Sequence, residues 1–137
     1  MDSGMESVVE VVTALVEAEA VLAEYAQRLR LRPDVSEVTT SMKFRAGPSI
    51  DLFADAELES GEALSWGLLA SFDGTEWHIE SDIRRNHEKG QDLVRQLPER
   101  FAVTPSELAA EIRSAAAMLV RDPLAEPELF SGEGYGP

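Results

Sequence analysis

The chain has 137 residues, no cysteine and a formal net charge of −14, with 26 acidic against 12 basic residues. That length fits a single domain able to bury roughly 68–70% of its unfolded surface, and the missing thiols exclude disulfides, thiolate metal sites and cysteine nucleophiles. A field of this sign repels nucleic-acid phosphates, which disfavours nucleic-acid binding, and it speeds encounter with basic partners.

Residues 1–10 lack the basic-then-apolar order of a secretory leader. Every apolar segment is broken by Asp, Glu or Arg before the roughly 18 residues a membrane span needs. A cysteine-free chain also suits a reducing compartment, so the expectation is a cytoplasmic protein with no membrane contact.

In chain order, a long helix is expected first, from Met5 to Leu31. Val8, Val11, Val12, Leu15, Ala18, Leu22, Tyr25, Ala26 and Leu29 recur at helical spacing. Acids fill the early turns and Arg28, Arg30 and Arg32 the last, in the order the helix dipole favours, and Pro33 stops it. Such a helix either packs on a sheet or doubles as a dimer seam.

Four strands follow as an antiparallel meander: Val35–Ala46, Ser49–Glu59, Ala63–Phe72 and Thr75–Ile83. Apolar residues alternate along the second (Ile50, Leu52, Ala54, Ala56, Leu58) and the third (Leu64, Trp66, Leu68, Ala70, Phe72). Three turns set the expected register. Asp73-Gly74 as a two-residue turn pairs Phe72 with Thr75 and Ala70 with Trp77. A loop of Ser60, Gly61 and Glu62 pairs Leu58 with Leu64. A loop of Gly47, Pro48 and Ser49 pairs Ala46 with Ile50. All three put the apolar sets on one face, where a one-residue slip would expel them into water.

A short helix is expected at Gln91–Leu97, and a second begins at Thr104, which caps it with Pro105 at its first position and Glu107 closing a capping box. Leu108, Ile112, Ala115, Ala116 and Leu119 form its buried stripe, with Phe101 and Val103 packed between the two helices. The fold class is therefore α+β: a long N-terminal helix, a four-stranded antiparallel meander and two C-terminal helices on one face of the sheet. Trp66, Trp77, Phe44 and Phe72 are the expected core anchors, facing Leu15, Leu22, Ile112 and Leu119. Residues 1–121 make one domain; residues 122–137, with four acids, three prolines and three glycines, read as a flexible tail.

The same register aligns the opposite face. Lys43, Phe53, Leu69 and His78 fall in one row, Ser41, Asp55, Gly67 and Glu80 in the next, and Thr39, Glu57, Ser65 and Asp82 in the third. Ser65 and Gly67 then floor a trough between Asp55 and Glu57 on one side and Glu80 and Asp82 on the other, about 10 Å apart. Unneutralised carboxylates so close repel one another, and a Lys or Arg from a basic protein would relieve them, with Phe53 and Leu69 adding apolar contact.

Metal binding fits poorly, because Ca²⁺ needs oxygens within about 2.6 Å, usually wrapped by a loop. Asp82–Lys89 reads as a solvated connection, and no Gly-x-Ser-x-Gly elbow or other catalytic motif is present. The expected function is a non-enzymatic acidic interaction protein that binds a basic protein through Phe53, Asp55, Glu57, Leu69, His78, Glu80 and Asp82, without cofactor. A homodimer through the first helix or the sheet face is a further partnership the sequence admits. The alternative is a small-ligand-binding domain or enzyme with a pocket at the end of the sheet. Toxin-neutralising immunity proteins and secretion chaperones include small acidic α+β domains of similar build, an analogy of architecture that rests on no motif.

Overall fold

The apolar stripe of the N-terminal segment folds as α1 (Ser3–Leu29), with Glu6 in its first turn and Arg28 in its last. The computed structural model describes residues 3–121; the expected tail at 122–137 lies outside them. After α1 come β1 (Val35–Arg45), β2 (Ser49–Leu58), β3 (Ala63–Phe72), β4 (Trp77–His87), β5 (Gly90–Gln96), β6 (Arg100–Ala102) and α2 (Pro105–Leu119). The architecture is α+β, with one antiparallel sheet in the order β1-β2-β3-β4-β5, and β6 also pairing with β4.

Both helices cover the same face. α1 packs on β1 and β2, α2 on β3, β4 and β6, and the helices pack against each other. Between the layers lie Leu15, Leu22, Leu52, Leu64, Trp66, Leu68, Ile79, Ile83, Ile112 and Leu119, all nearly inaccessible. Trp66 meets Tyr25 of α1 edge-on at 5.3 Å, a favoured aromatic arrangement. α2 starts as expected: Thr104 Oγ1 accepts from the Glu107 N–H, and the Glu107 carboxylate accepts from the Val103 and Thr104 N–H groups, which holds its pKa below the usual value. No helix among the described residues is long and apolar enough to cross a membrane.

Every expected hairpin keeps its facing but moves by two residues. Phe44 pairs with Ile50, Ala56 with Leu64, and Phe72 with Trp77. Because side chains alternate with period two, a shift of two leaves each apolar set inward. The Asp73-Gly74 turn shows the cause. Asp73 Oδ1 accepts from the Thr75 N–H, the Thr75 hydroxyl and the Glu76 N–H, and the Asp73 N–H donates to the Glu76 carbonyl at 3.0 Å. The side chain thus builds an Asx turn that widens the loop to four residues.

Four expectations are corrected. Gln91–Leu97 holds no helix; its residues form β5 and the start of the link to β6, because β4 continues to His87 and turns back through Glu88-Lys89, with Gly90 at φ +136°. A bulge opposite Ile83 and Arg84 skips Val94, which packs on the core while Leu93 faces out, so spacing that imitated a helix serves a bulged strand. Asp82–Lys89 is not a solvated loop: Ile83 and Arg85 are buried, and Arg85 Nη2 donates to Glu62 Oε1 at 2.8 Å. Phe44 does not anchor the core, lying 66% exposed at the end of its strand, and Phe101 and Val103 are exposed rather than packed between helices.

Candidate functional site

The sheet face opposite the helices is covered by no element among the described residues, and the observed register determines what it presents. Lys43, Asp51, Leu69 and Glu80 form one row. Ser41, Phe53, Gly67 and Asp82 form the next, followed by Thr39, Asp55, Ser65 and Arg84, then Glu37, Glu57, Ala63 and Asn86.

The two columns of acids therefore do not face each other as expected. Asp55 lies against Ser65, whose hydroxyl donates to it at 2.5 Å, and Asn86 Nδ2 donates to the same hydroxyl oxygen. Asp82 lies against Gly67 and accepts from Arg84 Nε and Nη2 at 3.0 and 2.8 Å, an ion pair that makes Arg84 harder to deprotonate. Glu57 and Glu80 keep exposed carboxylates, and Glu57 faces Glu37 across the strands. His78 has left Leu69 for Ser71 and Phe101. Asp51 and Arg84 are members of the face that sequence reasoning missed. Strand parity would have shown Asp51; Arg84 was hidden by ending the fourth strand too early.

A tighter arrangement survives. Phe53 pairs with Gly67 and Leu69 with Asp51, so Phe53 and Leu69 are diagonal neighbours on β2 and β3, within reach of each other. Both are half-buried. Asp51 and Asp55 flank Phe53 along β2, and Glu80 and Asp82 lie opposite Leu69 and Gly67 on β4. This places an apolar pair inside four carboxylates. The Lys43 ammonium already lies 5.4 Å from the centre of the Phe53 ring, so the ring accommodates a cation. A Cβ on Gly67 would meet only Asp82 Oδ1, at 3.7 Å. Packing therefore does not require glycine there, and its absence of side chain keeps the floor low.

A second concavity lies at the end of the sheet that carries the β1–β2 and β3–β4 turns. It is a groove of about 510 Å³ whose walls include Val8 and Val12 of α1, Phe44, Trp77, Val103 and Leu108; among the described residues of its lining, Ser7 alone carries a hydroxyl and none is ionisable. It can hold an apolar group, and its described lining residues include no carboxylate, imidazole or amine to serve as general acid, base or metal ligand.

Asp73, Glu76 and His78 bring ligand atoms within 4.8 Å of one another, but two of the three already have roles in the turn. His78 Nε2 lies 2.7 Å from Asp73 Oδ2. That hydrogen bond raises the His78 pKa above 6.5, while the Glu76 N–H, followed by His78 and Thr75, holds Asp73 below 3.8. The signs differ: the His78 contribution to stability is full below pH 6.5 and disappears as pH rises through the raised folded value, while that of Asp73 is full above pH 3.8 and disappears on acidification. NMR titration should show the His78 ring titrating above an ordinary histidine, and Asp73→Asn should return it to the usual range.

No protein-family model, curated protein or solved structure matches the chain.

Proposed function

We propose that this is a non-enzymatic interaction protein that docks a basic polypeptide on the open face of its sheet. The observation that carries the reading is the Phe53–Leu69 pair set among Asp51, Asp55, Glu80 and Asp82 on a face neither helix covers. An apolar side chain of the partner would rest over Gly67, and flanking Lys or Arg side chains would reach the exposed Glu80 and compete with Arg45 for Asp51, Asp55 and Asp82 being already held by Ser65 and Arg84. Central apolar contact with a charged surround is how compact interfaces concentrate their binding energy and steer encounter. Glu57 extends the acidic margin, and His78 lies at its far end beside Ser71.

The apolar groove favours a second reading, a site for an uncharged apolar small molecule. Its described lining residues supply no titratable group, which favours binding over turnover.

A synthetic peptide with one leucine between lysine pairs serves as the probe, with calorimetric titration as the readout. Gly67→Val raises the floor while improving β propensity, so it should fold at least as well as wild type and bind about tenfold more weakly. Glu80→Gln/Asp51→Asn should lower affinity and flatten its salt dependence. Unchanged affinity in a folded Gly67→Val protein would remove this face as the docking surface.

A further inference from the structure

We propose that a second copy of this chain pairs along the β1 edge, joining two sheets into one and two α1 helices into one layer. This goes beyond the sheet-face reading and does not depend on it.

The two sheet edges differ. On the far side β5 and β6 are short and separated by a link containing Pro98. β1 is regular from Glu37 to Arg45 and contains no proline. Nine residues give an edge about 30 Å long that pairs with no further strand among the described residues, the kind of surface that recruits another strand unless something covers it.

The sequence of β1 is complementary to itself in antiparallel register about Thr40. In that register Val38 faces the partner's Met42 on the helix side, where both side chains already pack half-buried against the core. Glu37 faces the partner's Lys43 on the open side. Both pairs occur twice, as a two-fold axis requires. Within one chain Glu37 faces Glu57, an unfavourable like-charge pair; the partner's Lys43 would supply the missing counter-charge.

The helix layer fits the same axis. Glu10 and Glu17 of α1 accept from Ser106 and Arg113 of α2, each at 2.8 Å, so that flank faces α2. Val8, Val12 and Val16 lie on another flank at successive helical turns, and each is more than half exposed, at 59%, 51% and 55%. α1 sits over β1 and β2 with α2 on its other side, so in the proposed dimer this flank would meet its copy across the β1 edge, with Val8 and Val12 at the mouth of the end groove they also line. Strands about 4.8 Å apart would bring the two α1 axes to about 10 Å, the spacing of packed helices. Glu19 is the acid on this flank and is half-buried. A seam about 30 Å long and two layers deep would bury on the order of 1,200 Å² in total, the lower end of stable interfaces, which implies a dimer of micromolar strength. Two copies at −14 each repel one another overall; what selects a second copy is the local self-complementarity of β1, in which Glu37 and Lys43 meet twice about the axis.

Sedimentation equilibrium of the full chain from about 1 μM to about 1 mM tests this. The mass should rise from 15.0 kDa towards about twice that value. Val12→Lys/Val16→Lys should remain monomeric. Glu37→Lys and Lys43→Glu should each weaken self-association about tenfold, through two lost pairs per dimer. Mixed together they should recover wild-type affinity, because each then faces its opposite charge. A wild-type protein that stays at 15.0 kDa throughout overturns the proposal. So does a valine variant that dimerises normally, or a mixture no tighter than its components.

Discussion

Trp66→Ala is expected to destabilise the fold by about 3–5 kcal/mol, the usual cost of deleting a large aromatic side chain from a tight core. Trp66 is 1% exposed, sits at the centre of β3 and meets Tyr25 of α1 edge-on. Its removal takes away both buried area and an aromatic contact between the sheet and the long helix, and leaves a cavity that neighbours on a rigid strand cannot close. A single domain is stable by only about 5–15 kcal/mol, so the variant should unfold at a much lower urea concentration or fail to fold at room temperature. Trp77 is the internal control. It lines the open groove and is only half-buried, so Trp77→Ala should cost clearly less. Urea unfolding followed by far-ultraviolet circular dichroism measures both; equal losses would mean that the two rings share one environment.

The second large effect concerns a charge inside the fold. Arg85 has a side chain only 7% exposed, and its guanidinium bonds Glu62 on the β2–β3 turn at 2.8 Å. That contact holds the Glu62 pKa below 4.5, so its contribution is present above pH 4.5 and declines as the solution is acidified through the lowered folded value. Glu62→Ala keeps the buried cation and removes a carboxylate that bonds it at 2.8 Å, which should cost about 2–3 kcal/mol. Arg85→Met removes the need for that counter-charge while keeping much of the packing volume, and should cost less. Denaturation of the two variants at neutral pH and again near pH 4 compares them. If Arg85→Met proved the more damaging, the role of Arg85 would be packing and its other contacts, not the Glu62 pair.

Arg85 also shows what the sequence could and could not reveal. The alternation that identifies β2 and β3 is written in residues 50–72, and the inward set found there is the expected one. The start of α2 was equally legible, because Thr104, Pro105 and Glu107 form a capping box from local contacts alone. Register was less accessible. It depends on how many residues each turn consumes, and Asp73 altered that number through hydrogen bonds from its own side chain. The polar run Arg84-Arg85-Asn86-His87 gave no apolar alternation, since its inward position is filled by an arginine whose partner lies 23 residues earlier. Hidden with it were the β4 extension, β5 and the neutralisation of Asp82 by Arg84.

The candidate face was consequently legible in membership and not in arrangement. Phe53, Asp55, Glu57, Leu69, His78, Glu80 and Asp82 all alternate onto the side away from the helices, as parity requires. A shift of two residues in each hairpin moved their neighbours, replacing two opposed walls of acid by an apolar pair with carboxylates around it. In the proposed docking, a basic partner would centre its contact on Phe53, Gly67 and Leu69.

Amide chemical-shift mapping of the isotope-labelled protein during titration with the lysine-flanked leucine peptide tests that assignment most directly. The expected result is a salt-sensitive set of shifts centred on Phe53, Gly67, Leu69, Glu80 and Asp82, with the helices unaffected. Shifts confined to Val8, Phe44, Trp77 and Val103 would contradict it and move the binding site to the apolar groove.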